Sequence, residues 1–284
     1  MAEGLRIRHP GPVAQDRSVA VPCRVMRRKA VLRAGVPLLD ALAEATEGRA
    51  AWVDLRDLGA ATLSFVMPAP APGDGHAAWY SATTTLSPAR ILRAGVHLGK
   101  RDGRPFAHIH GIWTDPDGQR HMGHLLPNDT VLAENTTVEL HLIDGAVFDV
   151  AHDPETRFDI FHPVQIDQVE GSNAVLAAIR PHKPIFEAIA NIAANEGITD
   201  GTVMGIGSLI GTSFADCQPV KSYATEILLM DARVSGGDVS LAAASVGFDG
   251  RFQRGELASG NMVCVTCEIL IIGSPPLSRR LSGA

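Results

Sequence analysis

The chain repeats itself, and that repetition restricts the fold more than any other feature. Leu32-Arg33-Ala34-Gly35-Val36-Pro37-Leu38-Leu39-Asp40-Ala41-Leu42-Ala43 aligns with Ile179-Arg180-Pro181-His182-Lys183-Pro184-Ile185-Phe186-Glu187-Ala188-Ile189-Ala190, with an arginine, a proline and the apolar pattern coinciding. In each segment a proline at the first helical turn precedes apolar residues at helical spacing, which predicts an amphipathic helix. Four shorter matches follow in the same order. Trp52-Val53-Asp54-Leu55 pairs with Val203-Met204-Gly205-Ile206, and Ala89-Arg90-Ile91-Leu92 with Thr225-Glu226-Ile227-Leu228. Asp117-Gly118 with Gly123-His124-Leu125 pairs with Asp249-Gly250 and Gly255-Glu256-Leu257, and Thr137-Val138-Glu139-Leu140 with Thr266-Cys267-Glu268-Ile269. Each copy reads as helix, strand, long connection and several antiparallel strands. The expected fold class is therefore α+β: two tandem copies of an antiparallel sheet domain flanked by helices, over residues 23–152 and 172–272. Residues 1 to about 22 and the tail from Gly273 are expected to be mobile.

The first copy carries a concentration of imidazoles. Ala107-His108-Ile109-His110 leads into the turn Asp115-Pro116-Asp117-Gly118, which is followed by Gly123-His124-Leu125. Side chains alternate along a strand, so His108 and His110 share a face. The turn has Asp, Pro and Gly where a type I turn favours them, with Gly118 left-handed to close a three-residue hairpin loop. In that register Asp115 faces Gln119, Ile112 faces Met122 and His110 faces His124, which brings His124 to the same face. His121 falls opposite Trp113 on the other face and is excluded. Three imidazoles with a fourth position open suit a catalytic Zn2+, or another divalent transition metal, better than a closed structural site. In the second copy the corresponding positions are Ser240, Ala242 and Glu256. A single metal site is therefore expected in copy one, with groups from copy two available to complete it.

Charge and composition narrow the partners. The net charge of −6 lacks the basic excess of a duplex-binding surface, so nucleic acid is an unlikely partner on sequence grounds. No N-terminal apolar core has the length of a secretory signal and no run reaches a membrane span, so the expectation is a cytoplasmic protein without a membrane partner. Cys23, Cys217, Cys264 and Cys267 are too scattered for a disulfide framework, and Cys264 and Cys267 face opposite sides of a strand-like run. Gly205-Ile206-Gly207-Ser208-Leu209-Ile210-Gly211 lacks the lysine and spacing of a phosphate loop.

At Ala107-His108-Ile109-His110, Asp117-Gly118, Gly123-His124-Leu125, Thr137-Val138-Glu139-Leu140 and Gly205-Ile206-Gly207-Ser208-Leu209 the chain resembles the plants-and-prokaryotes-conserved (PPC) domain family. The resemblance covers roughly residues 28–150 and 175–272. It implies an antiparallel sheet flanked by helices and, in prokaryotic members, a metal on three histidines, here His108, His110 and His124. It also implies trimeric association of single domains, carried to this tandem chain as an expectation of a homo-oligomer. Plant members bind AT-rich DNA through a separate Arg-Gly-Arg-Pro hook. The nearest string here, Arg101-Asp102-Gly103-Arg104-Pro105, has an aspartate within its basic part. The fold is also similar to that of acetolactate decarboxylase, a duplicated protein with a three-histidine zinc.

Three functions compete at this level. The first is a metal-dependent enzyme, lyase/decarboxylase-like or hydrolase-like, acting on a small anionic carbonyl or carboxylate substrate. Arg33, Arg90 and Arg104 are candidates to clamp the anion, Glu139 is a candidate general base, and His141 shares its strand face. The alternatives are a PPC-type DNA-binding, transcription-associated protein and a non-catalytic binding module braced by the metal.

Overall fold

The structure is a computed structural model describing residues 7–274. Its first part runs β1 (Ser18–Leu32), α1 (Leu38–Thr46), β2 (Ala51–Val66), β3 (Pro68–Ala69), β4 (Trp79–Tyr80), β5 (Thr84–Leu86), β6 (Ala89–Arg101), β7 (Arg104–Thr114), β8 (Arg120–Leu125), β9 (Val131–Leu132), β10 (Thr136–Asp144), β11 (Ala146–His152) and β12 (Asp159–Gln165). Its second part runs β13 (Ala174–Ile179), α2 (Ile185–Asn195), β14 (Gly201–Leu209), β15 (Thr225–Ser235), β16 (Asp238–Val246), β17 (Phe252–Glu256) and β18 (Val263–Gly273).

This overturns the expected α+β class of antiparallel sheets flanked by helices. The described chain is mostly β, with helix confined to segments of 9 and 11 residues. Sixteen strands belong to one mixed sheet, in which β11 runs parallel to β6. The physical reason lies in the periodicity. Only the stretches after Pro37 and Pro184 keep a helical spacing of apolar residues, whereas the long connections alternate or run continuously apolar and are strands.

Both helices stand where the proline-led motif places them. Leu38, Ala41, Leu42 and Ala45 of α1 enter one core with β2, β6, β7 and β10, and Ile185, Ala188, Ile189 and Ile192 of α2 enter a second with β13–β16 and β18. A third core lies between the two sets of strands. There Trp52, Ile112, Met122 and Phe148 pack against Leu176, Ile206, Leu228 and Leu270.

Strand β1 joins the two halves. Ser18–Cys23 pair with β13, and Arg24–Leu32 pair with β10. The expectation of a mobile stretch up to about residue 22 is thus corrected for its described part. Gly11 N–H donates to the Glu155 carbonyl at 2.9 Å, and the Arg17 guanidinium meets the buried Glu155 carboxylate at 2.6 Å. A strand that satisfies a neighbour on each side cannot fray without stripping both of backbone partners. Residues 1–6 and 275–284, which hold the rest of the expected mobile ends, lie outside the described residues. Among the described residues no helix is long and apolar enough to cross a membrane.

Candidate metal centre

The hairpin of β7 and β8 has the register read from its turn. His110 pairs with His124, Gly111 with Gly123, Ile112 with Met122, Trp113 with His121 and Thr114 with Arg120. Asp115 N–H donates to the Gln119 carbonyl at 3.0 Å, and Gly118 takes φ 82°. The motif glycine beside His124 is required by close approach: a Cβ on Gly123 would stand 2.4 Å from the Val66 carbonyl oxygen of β2. His108, His110 and His124 consequently converge, each offering a ligand atom within 4.8 Å of the others. His121 lies on the opposite face, 3.0 Å from the Asp115 carboxylate and against Phe65.

The second half supplies two carboxylates to the same place. Glu268 Oε2 on β18 lies 3.3 Å from His108 Nδ1, and Glu226 Oε1 on β15 lies 3.7 Å from His110 Nε2. They are 1% and 4% exposed, and neither Glu226 oxygen nor Glu268 Oε2 has a hydrogen-bond partner. Burial pushes the Glu226 carboxyl well above its usual range. Burial, reinforced by His108, pushes the His110 and His124 imidazoles well below theirs, so both are neutral near pH 7.

The protons available to the three rings suit a cation. His110 donates from Nδ1 to the Ile227 carbonyl at 2.9 Å, so its Nε2 is a bare lone pair. His108 Nε2 is 3.0 Å from that atom, while its Nδ1 faces Glu268. A neutral His108 has one proton for two demands. Placed on Nε2, it leaves a lone pair against the Glu268 carboxylate; placed on Nδ1, it leaves two bare Nε2 atoms 3.0 Å apart. A cation among the Nε2 atoms resolves the second arrangement, and His108 then donates to Glu268 as metal-bound histidines donate to outer carboxylates. The Tyr80 hydroxyl lies 3.5 Å from His124 Nδ1 on the corresponding side of the third ring. The donor set fits a divalent transition metal.

The cluster opens into a cavity of about 260 Å³ between the two halves. Trp79, Tyr80, Phe106, Phe158 and Phe161 line its outer part, and Arg101 stacks over Phe106 while paired with Asp159 at 2.9 Å. The Tyr80 side chain is exposed at the cleft mouth, and its phenol is a proton donor at neutral pH.

Other sequence candidates stand elsewhere. Arg33 pairs with Glu44 at 3.0 Å and Arg90 with Asp57 at 2.6 Å, both on the surface, and neither reaches the histidines. Arg104 is exposed and pairs with Arg101 across a tight turn at Asp102 and Gly103, both with positive φ. That is the geometry of a two-residue hairpin loop. Glu139 and His141, 3.6 Å apart, line a different cleft. Glu256 is exposed opposite Ala242, at the register that His124 and His110 occupy in the first hairpin.

Glu226, Glu268 and Tyr80 were not among the residues singled out by sequence. Both glutamates had a signal: each interrupts an apolar strand, Ile227-Leu228-Leu229 following one and Ile269-Leu270-Ile271 the other. A carboxylate inside a buried strand is costly without a partner. Tyr80 lies in a two-residue strand and had none.

No family model and no curated relative matches the chain. Solved structures similar to about half of it include a metal-containing protein from Archaeoglobus fulgidus, with 21% identity and TM-score 0.39 over 51% of this chain and 98% of that one. A plant- and prokaryote-conserved (PPC) protein from Pyrococcus horikoshii is similar at 15% identity and TM-score 0.38, over 51% of this chain and 96% of its own. A candidate DNA-binding protein from Ralstonia eutropha is similar at 19% identity and TM-score 0.38, over 49% of this chain and 95% of its own.

Proposed function

We propose that His108, His110 and His124 hold a divalent transition metal, zinc by default, and that the cleft is the active site of a metal-dependent enzyme. The observation that carries this reading is the convergence of three imidazoles on one strand pair with two unpartnered, buried carboxylates from the facing strands. Bound there, such an ion supplies Lewis-acid polarisation of a carbonyl or carboxylate oxygen.

The chain's own residues account for the rest. Ile227 and Glu268 fix the ring orientations of His110 and His108 through their Nδ1 atoms. Glu226, whose raised pKa is caused by burial, is placed to exchange a proton with a substrate held beside His110. The Tyr80 hydroxyl is a donor at the His124 side. The aromatic outer wall favours a small carbonyl or carboxylate compound with an apolar body. Such a small molecule, rather than duplex nucleic acid, suits a chain of net charge −6.

A metal-braced, non-catalytic module is the second reading, favoured if Glu226 is a fourth ligand and closes the site. The two-copy organisation over residues 23–152 and 172–272 is proposed with it, supported by the equivalent register of Ala242 opposite Glu256 and His110 opposite His124.

The deciding experiment is metal content by inductively coupled plasma mass spectrometry on wild type and the His108→Ala/His110→Ala variant, followed by turnover of keto acids and esters. About one ion per chain, lost in the variant and needed for turnover, is the expected result. No metal in either protein overturns the proposal; metal without turnover favours the braced module.

A further inference from the structure

A second cleft opens between the same two layers. Strands β14 and β15 run from one cleft to the other, with Ser208 and Glu226 at the histidine end and Thr202 and Asp231 at the far end. The far cleft has a volume of about 520 Å³ and is lined by Arg27, Arg56, Arg93, Trp52 and His141, among others.

Its unpartnered polar groups have the opposite sign to those of the first cleft. At the histidine end the buried atoms without hydrogen bonds are carboxylate oxygens, all acceptors. At the far end they are Trp52 Nε1, His141 Nδ1 and Arg93 Nε, the last in a long ion pair with Asp54 at 3.4 Å. The indole and guanidinium nitrogens can only donate, and a neutral His141 donates from whichever ring nitrogen carries its proton. Trp52 is 2% exposed and His141 7%. Leaving such donors unmatched carries a desolvation cost that an acceptor-rich ligand removes.

Three carboxylates, Asp54, Glu139 and Asp231, match the three arginines of the cleft in formal charge but leave Arg27 without a partner among the described residues. Asp54 is shared between Arg56 and Arg93, the latter at 3.4 Å, while Asp231 is engaged by Arg233 at 2.8 Å. Glu139 is half exposed beside His141. Arg27 faces His141 across the β1–β10 ladder and has no carboxylate partner among the described residues. It is a free guanidinium at the mouth of a cleft that already presents buried donors.

We infer that this far cleft is a binding site for a small anion bearing carboxylate or phosphoryl groups, held by Arg27, Arg93 and the Trp52 indole N–H. Guanidinium forks match either group in two-pronged fashion. The site uses none of the three histidines, so it stands or falls apart from the proposed metal centre.

Isothermal titration calorimetry with inorganic phosphate and with succinate, at constant ionic strength, tests it on the full chain as wild type, Arg27→Gln and His110→Ala. Arg27 is exposed and unpaired, so its replacement leaves the fold intact. The expected result is saturable binding of at least one anion, weakened about tenfold or more by Arg27→Gln and unchanged by His110→Ala. The indole N–H resonance assigned to Trp52 should shift on saturation. Absence of binding up to about 10 mM, equal binding by Arg27→Gln, or loss in His110→Ala each overturns the inference. The last of these would move the anion to the histidine cleft.

Discussion

Glu226→Gln should stabilise the metal-free protein and shrink the stabilisation that zinc adds, a pairing that a purely structural glutamate would not produce. The side chain is 4% exposed with neither oxygen hydrogen-bonded, and the substitution removes the ionisable carboxyl while keeping the shape. Relief of an unsatisfied buried carboxylate contributes about 1–3 kcal/mol, and each kcal/mol moves the melting temperature of a chain this size by roughly 2–4 °C. The gain depends on pH. Because burial raises the folded-state pKa above the usual 4.5, the folded protein holds a proton the unfolded chain has released, and wild-type stability falls as pH rises above about 4.5. The variant's advantage should therefore be larger at pH 8 than at pH 5. With zinc at about a thousand times its dissociation constant, wild type gains about 4.1 kcal/mol. Affinity reduced about 10- to 100-fold by loss of the neighbouring charge cuts that gain to about 2.7 or 1.4 kcal/mol. Differential scanning fluorimetry in chelator and in zinc reads both effects. If Glu226→Gln melts below wild type in chelator at pH 8, or keeps the full zinc shift, Glu226 is not an unpaired acid serving a cation.

Four further outcomes follow from particular contacts. His110→Ala should lose most bound metal while His121→Ala, on the far face with Asp115, retains it; equal loss by mass spectrometry would contradict the placement of the two side chains. Gly123→Ala puts a methyl 2.4 Å from a β2 carbonyl, so chemical denaturation should show a loss of about 1–3 kcal/mol together with weakened metal binding as His124 is displaced; an unaltered protein would refute the close-approach account. Leu42→Ala removes a fully buried α1 side chain and should cost about 2–5 kcal/mol by the same assay, whereas a cost under about 1 kcal/mol would mean that α1 does not seal the first core. Cys23, Cys264 and Cys267 are buried with thiol pKa values raised by burial, the first two to about 12, so titration of the native protein with a thiol reagent should find Cys217 alone and all four after unfolding.

The amino-acid sequence by itself determined what local chemistry and periodicity control. Proline-led apolar spacing located both helices, because helix formation needs only residues three and four apart to agree. A four-residue turn set the parity of the β7–β8 hairpin, and parity alone separated His124 from His121. What the sequence could not supply was long-range. The same repeat that suggested two flanked α+β units said nothing of β1 pairing with both β10 and β13, which merges the strands into one sheet. Glu139 was the visible candidate base and Glu268 its repeat, yet only Glu268 faces one of the three clustered histidines, because the layers pack face to face and bring β15 and β18 onto the first hairpin. Which carboxylate meets which imidazole, and which arginine is left without a partner, are decided by contacts between residues more than a hundred positions apart; no local pattern encodes them, and the packing of the shared core does.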